Sequence, residues 1–238
     1  MTDASDERPD QVGLETVAEI ARRLAEAPGL DELLHRIVVL AHEYLEGCDG
    51  VSLMLIGRGG RISTPAYSSE VAHDSDLAQF ETNQGPCLES IREHHTVVID
   101  DLESDERWPA YRERVAGFGV RSMLGVRLFV QGDTMGALNF YSSRPRGLGE
   151  RSLLLAQVFS SHAAVALKAA ISEAGMQAAL ETRDVIGQAK GVLMARVGLT
   201  ADDAFARLRE LSQQRNQPVR ELAEEIAVTG AVPDAHGR

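Results

Sequence analysis

The sequence predicts an α+β fold followed by a small all-α bundle, and three observations carry that prediction. Short apolar runs separated by turn residues fill the stretch from Val51 to Tyr141, and helical 3.6-residue periodicity brackets that stretch on both sides. From Glu150 onward the turn residues give way to a long segment rich in Ala, Leu, Ser and Gln. A chain of 238 residues, 44% apolar and 25% charged, can bury a core and has room for two modest domains.

Residues 1–10 are polar and read as a disordered tail. Val12, Val17, Ile20, Ala21 and Leu24 then trace a helical stripe that stops at Pro28-Gly29. Asp31 reads as the N-cap of a second helix, in which Leu33, Leu34, Ile37, Val38, Ala41 and Leu45 keep the period to about Gly47. Val51 to Ile56 is a strand, and Arg58-Gly59-Gly60-Arg61 supplies the turn into a second strand, Ile62 to Tyr67. Further strands are expected at Thr96–Ile99, Ser122–Val130 and Thr134–Tyr141, the last two joined through Gln131-Gly132-Asp133. Residues 70–94 and 103–118 mix short helical patterns with loop residues, a texture that commonly walls a ligand pocket.

The helix from Glu150 is expected to run through Ile171 and toward Arg183. In it Phe159, Ala163, Ala166 and Ala170 form a narrow seam that suits either the chain's own sheet or a second helix in a dimer. Thr200 with Asp202 and Asp203 makes an N-cap and an acidic first turn. The buried stripe of that helix is read as Ala204, Phe205, Leu208 and Leu211. Pro218 opens a last helix whose apolar positions are Val219, Leu222, Ala223 and Ile226, and Gly230 closes it. Residues 231–238 read as a second disordered tail.

The net charge is −12. Residues 176–238 hold eight Arg/Lys against nine Asp/Glu, or −1, and the first 175 hold sixteen against twenty-seven, or −11. Any nucleic-acid contact must therefore come from a local cluster rather than from a broad basic surface. Two cysteines, Cys48 and Cys87, are too few for a disulfide framework. An acidic N-terminus and the lack of a long apolar run lead to the expectation of a cytoplasmic chain that does not enter a membrane.

The segment ETRDVIGQAKGVLMARVGLTADDAFARLRELSQQRNQPVRELAEEIAVTG, Glu181 to Gly230, resembles the ANTAR family of RNA-binding transcription antiterminators. The positions that carry the resemblance are Ile186, Ala189-Lys190-Gly191, Leu193-Met194, Ala204-Phe205, Leu208-Arg209, Ser212, Asn216 and Leu222-Ala223. The resemblance implies a three-helix module spanning 171–230 that binds tandem short RNA hairpins as a homodimer and controls transcription termination. Arg209, Ser212, Gln213 and Asn216 share one polar stripe, which either reaches RNA or is a solvated face. Lys190 is one of two lysines in a chain that otherwise uses arginine, and is a candidate phosphate contact. Arg183 and Arg215 are weaker candidates. Gly191 inside a helix suggests close approach of a neighbouring helix or of a ligand backbone, with structural packing as the expected cause. Phe205 is assigned to the core.

The segment from about Asp31 to Leu167 resembles a GAF domain, through VVIDDLESDERWPAY, FGVRSMLGVRLFVQGDTMGALNFYS and LLLAQVFSSHAAVAL. This implies an antiparallel sheet with flanking helices, a sensor spanning 11–170 with its N-terminal and closing helices, joined by the long helix to the bundle. Arg127 stands where the family often has proline, and a change at the adjacent sheet edge is expected. GAF domains bind varied small molecules or simply dimerise, and no cofactor signature stands out, so a small-molecule ligand remains open. Cys87 follows the turn Gln84-Gly85-Pro86 at a helix start, where it is either a dipole-favoured thiolate or a buried inert thiol. Phe80 and Trp108 are candidates to line the same sensor pocket, or are core. His94-His95 has no second pair at ligand spacing, and no metal is expected.

The expected function is a signal-responsive RNA-binding regulator without catalytic activity. A thiol redox enzyme of the methionine sulfoxide reductase kind and a regulator that binds a protein instead of RNA are the alternatives. DNA is not expected, because no helix carries a dense base-reading set beside a basic flank.

Overall fold

Apolar side chains on both faces of the inner strands build a five-stranded sheet, in the order β2-β1-β5-β4-β3 and antiparallel throughout. The strands are β1 (Gly50–Ile56), β2 (Ile62–Tyr67), β3 (Val97–Ile99), β4 (Ser122–Val130) and β5 (Asp133–Ser142). This computed structural model describes residues 13–93 and 95–232. The N-terminal tail to residue 10, Val12, His94 and residues 233–238 of the C-terminal tail lie outside the described residues. The chain divides into two units, one through Ile171 and one from Ser172.

Val51 and Leu53 of β1, Leu124, Val126 and Leu128 of β4, and Leu138 and Phe140 of β5 face one side of the sheet. There they pack on α1 (Leu14–Ala25), α2 (Leu30–Tyr44) and the first turns of α6 (Glu150–Val197). The alternate residues Met54, Met123, Ala137 and Tyr141 face the other side. That side is covered by α3 (Glu70–Thr82), α4 (Pro86–Glu93) and α5 (Pro109–Val115). Because both faces are covered along β1 and most of β5, these strands read as nearly continuous apolar runs. β4 and β5 turn through Gln131 (φ 54°) and Gly132 (φ 91°), a two-residue loop whose left-handed backbone matches strand twist.

Three boundaries differ from expectation. Gly29, not Asp31, is the N-cap of α2, and Asp31 falls in its first turn, where the carboxylate still meets the positive end of the helix. The same helix ends at Tyr44 rather than near Gly47. Gly47 has φ 80°, and a Cβ there would collide with the Gly147 carbonyl, so the chain must leave the helix before it. β3 pairs with β4 only from Met123 to Gly125, so the sheet edge stops short of Arg127, whose guanidinium lies over the Phe129 ring at 4.2 Å.

The seam of α6 is used within the chain: Phe159 and Ala163 are fully buried in the sheet core, with Ala166 and Ala170 packed beside them. α6 is also longer than expected, 48 residues, and one window within it has a mean hydropathy of 1.4. By length and composition alone that window could cross a membrane, contrary to the expectation of no such run; 39% of it is buried in this structure.

The second unit joins the end of α6 to α7 (Ala201–Gln214) and α8 (Val219–Thr229). Ala189, Leu193, Ala204, Leu208, Leu211, Leu222, Ala223 and Ile226 form its core and are fully buried. Thr200 caps α7 by accepting from the Asp203 N–H at 3.2 Å, and Gly230 ends α8 in the left-handed region at φ 64°.

Candidate functional site

In the second unit the buried row of α7 is Ala204, Leu208 and Leu211, spaced i, i+4, i+7. Phe205 is one step, or 100°, away from that row, and it is 39% exposed, which corrects its assignment to the core. Its ring lines a groove of about 500 Å³ together with Arg183, Ile186, Gly187 and Lys190 of α6. Arg209 and Gln213 follow Phe205 at i+4 and i+8, so they continue the same exposed row.

Among the described residues nothing packs closely on Gly191. A Cβ built on it, or on Gly187 one turn earlier, would meet nothing within 4 Å, and both glycines are exposed. Each costs the helix about 1 kcal/mol relative to alanine with no compensating contact among the described residues.

The cations of this unit fall into two groups. Arg207 pairs with Glu210 at 2.7 Å, Arg215 with Glu225 at 3.2 Å and Arg220 with Glu224 at 2.9 Å. Arg183, Lys190, Arg196 and Arg209 make no ion pair among the described residues: Arg183 and Lys190 line the groove, Arg209 continues the Phe205 row, and Arg196 lies apart, beside Gly230. Ser212 is half-buried and donates to the Gln217 carbonyl at 2.5 Å, so its proton is used in the turn after α7. Asn216 is exposed in that turn with φ 48°, a conformation asparagine tolerates. Of the residues singled out from the sequence, then, Arg183, Lys190, Arg209, Gln213 and Asn216 are accessible and uncommitted, and Ser212 and Arg215 hold the bundle.

In the sheet unit, Cys87 and Trp108 belong to one buried cluster, with Phe80 half-buried against it. Trp108 donates from Nε1 to Glu89 at 3.0 Å, and the Arg107 guanidinium stacks on its ring at 4.3 Å. Cys87 is fully buried. Its backbone N–H donates to Gln79 Oε1 at 2.9 Å, and its sulfur accepts from Gln79 Nε2 at 3.0 Å. Burial, then the nearby Asp76 carboxylate, push the thiol well above its ordinary range, which favours the buried inert thiol over the dipole-favoured thiolate.

The sequence reading missed the polar centre of this cluster. Asp76 is fully buried and accepts from the Tyr141 hydroxyl, from Thr64 at 2.7 Å and from Asn139 at 3.3 Å. Asn139 also donates to Ser52 at 3.1 Å, and its own Oδ1 has no partner among the described residues. Asn139 interrupts the apolar run of β5 and was a usable signal. Asp76 was not, because polar and apolar residues do not segregate along α3.

Burial raises the Asp76 carboxyl from 3.8 to about 6, against the pull of its hydrogen bonds. Between those values the folded chain holds a proton that the unfolded chain has released. This one group therefore lowers stability as pH rises from about 4 to 6, by roughly 3 kcal/mol in all. Asp76→Asn is expected to remove that slope. Urea unfolding at pH 4, 5, 6 and 7 should show the variant gaining on wild type as pH rises; parallel curves would reject the assignment.

Elsewhere on this unit, Glu70, His73 and Asp74 bring possible ligand atoms within 4.8 Å of one another near the start of α3, with His73 stacked on Tyr67 at 4.4 Å. A wider opening of about 610 Å³ lies beside α5, over Leu102, Val115 and Val120, with Arg112 and Arg121 at its rim.

Comparison with known proteins places both units. The family model described as GAF domain matches residues 29–167, more than half of the chain, and that described as ANTAR domain matches 174–226. The chain belongs to the GAF family and carries an ANTAR domain behind it. Among solved structures, the GAF domain of a phosphoenolpyruvate-protein phosphotransferase from Coxiella burnetii is 19% identical with a TM-score of 0.53, over 70% of this chain and 96% of that one. The GAF domain of the same kind of enzyme from Acinetobacter is 17% identical with a TM-score of 0.53, over 67% and 94%. A free methionine-R-sulfoxide reductase from Neisseria meningitidis, solved with its substrate, is 16% identical with a TM-score of 0.53, over 66% and 89%. At these identities the likeness is one of fold. No curated protein matches the chain. The five-stranded antiparallel sheet between two helical layers is thus a GAF fold, and the chain is a GAF-linked ANTAR regulator.

Proposed function

We propose that the protein binds hairpin RNA through its ANTAR domain and controls transcription termination in response to a signal at the GAF domain. The observation that carries this reading is the separation of cations. Three glutamates neutralise Arg207, Arg215 and Arg220, while Arg183 and Lys190 in the groove and Arg209 on the Phe205 row make no ion pair among the described residues. An acidic chain that repels nucleic acid at long range needs such a local cluster to hold phosphates.

Tandem hairpins would be bound by a homodimer, each copy taking one loop, which multiplies affinity without new contacts. The seam of Phe159 and Ala163 is occupied by the sheet, so pairing falls to other α6 positions such as Leu154, Val165 and Met176, which are exposed. The boundary between sensor and RNA-binding domain falls near residue 170, inside α6, and the protein works in the cytoplasm, where its RNA is made.

Regulation rather than catalysis fits the cysteines. Burial raises Cys48 to about 11 and holds Cys87 well above its usual value, so neither supplies a thiolate at neutral pH. A small molecule that reaches the polar centre around Asp76 would be the signal, and Phe80, Cys87 and Trp108 would sense it through packing.

Fluorescence anisotropy of the full chain with a tandem stem-loop RNA, a loop-scrambled control and duplex DNA tests the reading. Loop-dependent binding that weakens steeply with salt is the expected result. Equal weak binding to all three, or salt-insensitive capture of a protein partner by the helical unit, would reject it.

A further inference from the structure

We propose that Phe205 is a stacking platform for one unpaired base of the RNA loop, seated in the groove between α6 and α7 while the nucleotide backbone passes over Gly187. This deepens the RNA-binding reading and rests on it.

The bundle core closes without Phe205. Ala204 before it and Leu208 after it are fully buried, yet the larger ring stands 39% exposed at the groove wall, opposite Ile186. A groove of about 500 Å³ lies within the range of ligand clefts, roughly 300–1,000 Å³. Its helix wall carries glycine at 187 for no internal reason, since a Cβ there would touch nothing within 4 Å. A side chain omitted on that face lets something outside the chain come close.

Charge decides what that is. Arg183 and Lys190 flank the groove without counter-ions among the described residues. An apolar helix from a second copy would strip water from both cations and return nothing. An RNA strand offers each of them one of the two phosphates that flank a base, and the base offers the ring a π-face. Every base has such a face, so Phe205 supplies affinity, and the choice among bases falls to Arg209 and Gln213, one and two turns further along α7.

The test uses the full chain and a tandem stem-loop RNA enriched by the wild-type protein from a randomised-loop pool. Phe205→Leu is expected to weaken binding about 5- to 100-fold, the span of base–aromatic stacking, and Phe205→Tyr by no more than about twofold. An abasic site at the stacked loop position should weaken wild type by the same factor and leave Phe205→Leu no worse. Gly187→Ala should also weaken binding although its helix melts at a higher temperature, a combination that loss of folding cannot produce.

Wild-type affinity in Phe205→Leu, or losses that add at every abasic position, would overturn the platform while leaving the RNA reading intact. Loss of self-association in sedimentation, with affinity per dimer retained, would assign the groove to a second copy instead. A pool from which the wild type enriches no RNA overturns the RNA reading and the platform with it.

Discussion

Replacing Arg183, Lys190 and Arg209 together by alanine is expected to weaken binding of the full chain to a tandem stem-loop RNA by more than about 100-fold at low salt, and to flatten its salt dependence. Each phosphate contact contributes about 0.7–0.9 to the slope of log affinity against log salt, so losing three should lower that slope by about 2 to 3. Arg207→Ala is the control. Arg207 is already neutralised by Glu210 at 2.7 Å, and its removal should change affinity and slope little. The affinity loss and the slope change must appear together. A large loss with an unchanged slope would mean that the triple variant damaged the bundle rather than its phosphate contacts.

The second large effect is on folding. Leu208 is fully buried in a core of eight side chains, so Leu208→Ala should cost the ANTAR unit about 2–5 kcal/mol. A core of that size supplies only about 3–5 kcal/mol in total, so the substitution should leave the unit largely unfolded. The sheet unit offers an internal reference, because the chain has one tryptophan, Trp108, and it is buried there. Far-ultraviolet circular dichroism should lose helical signal at low denaturant while the Trp108 fluorescence transition stays at its wild-type midpoint. RNA binding should vanish with the helical signal. A Trp108 midpoint that moves with the helices would show that the two units unfold as one.

These predictions draw differently on sequence and structure. Lys190 and Arg209 were legible from the ANTAR spacing, but nothing local distinguished them from Arg207, Arg215 or Arg220. Which arginine meets a glutamate depends on how α7 and α8 pack, as in the Arg215–Glu225 pair ten residues apart. Phe205 was misread for a related reason. An aromatic beside Ala204 and Leu208 belongs to the apolar stripe by sequence, yet a core of three short helices fills with the row on one side of it. For Gly191 packing was preferred over approach of a ligand backbone, and no neighbour that would require it lies among the described residues.

In the GAF unit the strands were legible because two covered faces demand apolar residues at nearly every position, and turns such as Gln131-Gly132 punctuate them. Asp76 was not legible. Its environment is assembled from Ser52, Thr64, Asn139 and Tyr141, residues far apart along the chain that only the sheet register brings together.

The sequence by itself determined the five strands, the helices at either end and both families, because periodicity, turn chemistry and motif spacing are local properties of the chain; α3, α4 and α5 showed only as mixed texture. Tertiary structure alone decided which cations stay unpaired, which aromatic stays exposed and which carboxylate is buried, because charge pairing and desolvation depend on neighbours that only packing supplies.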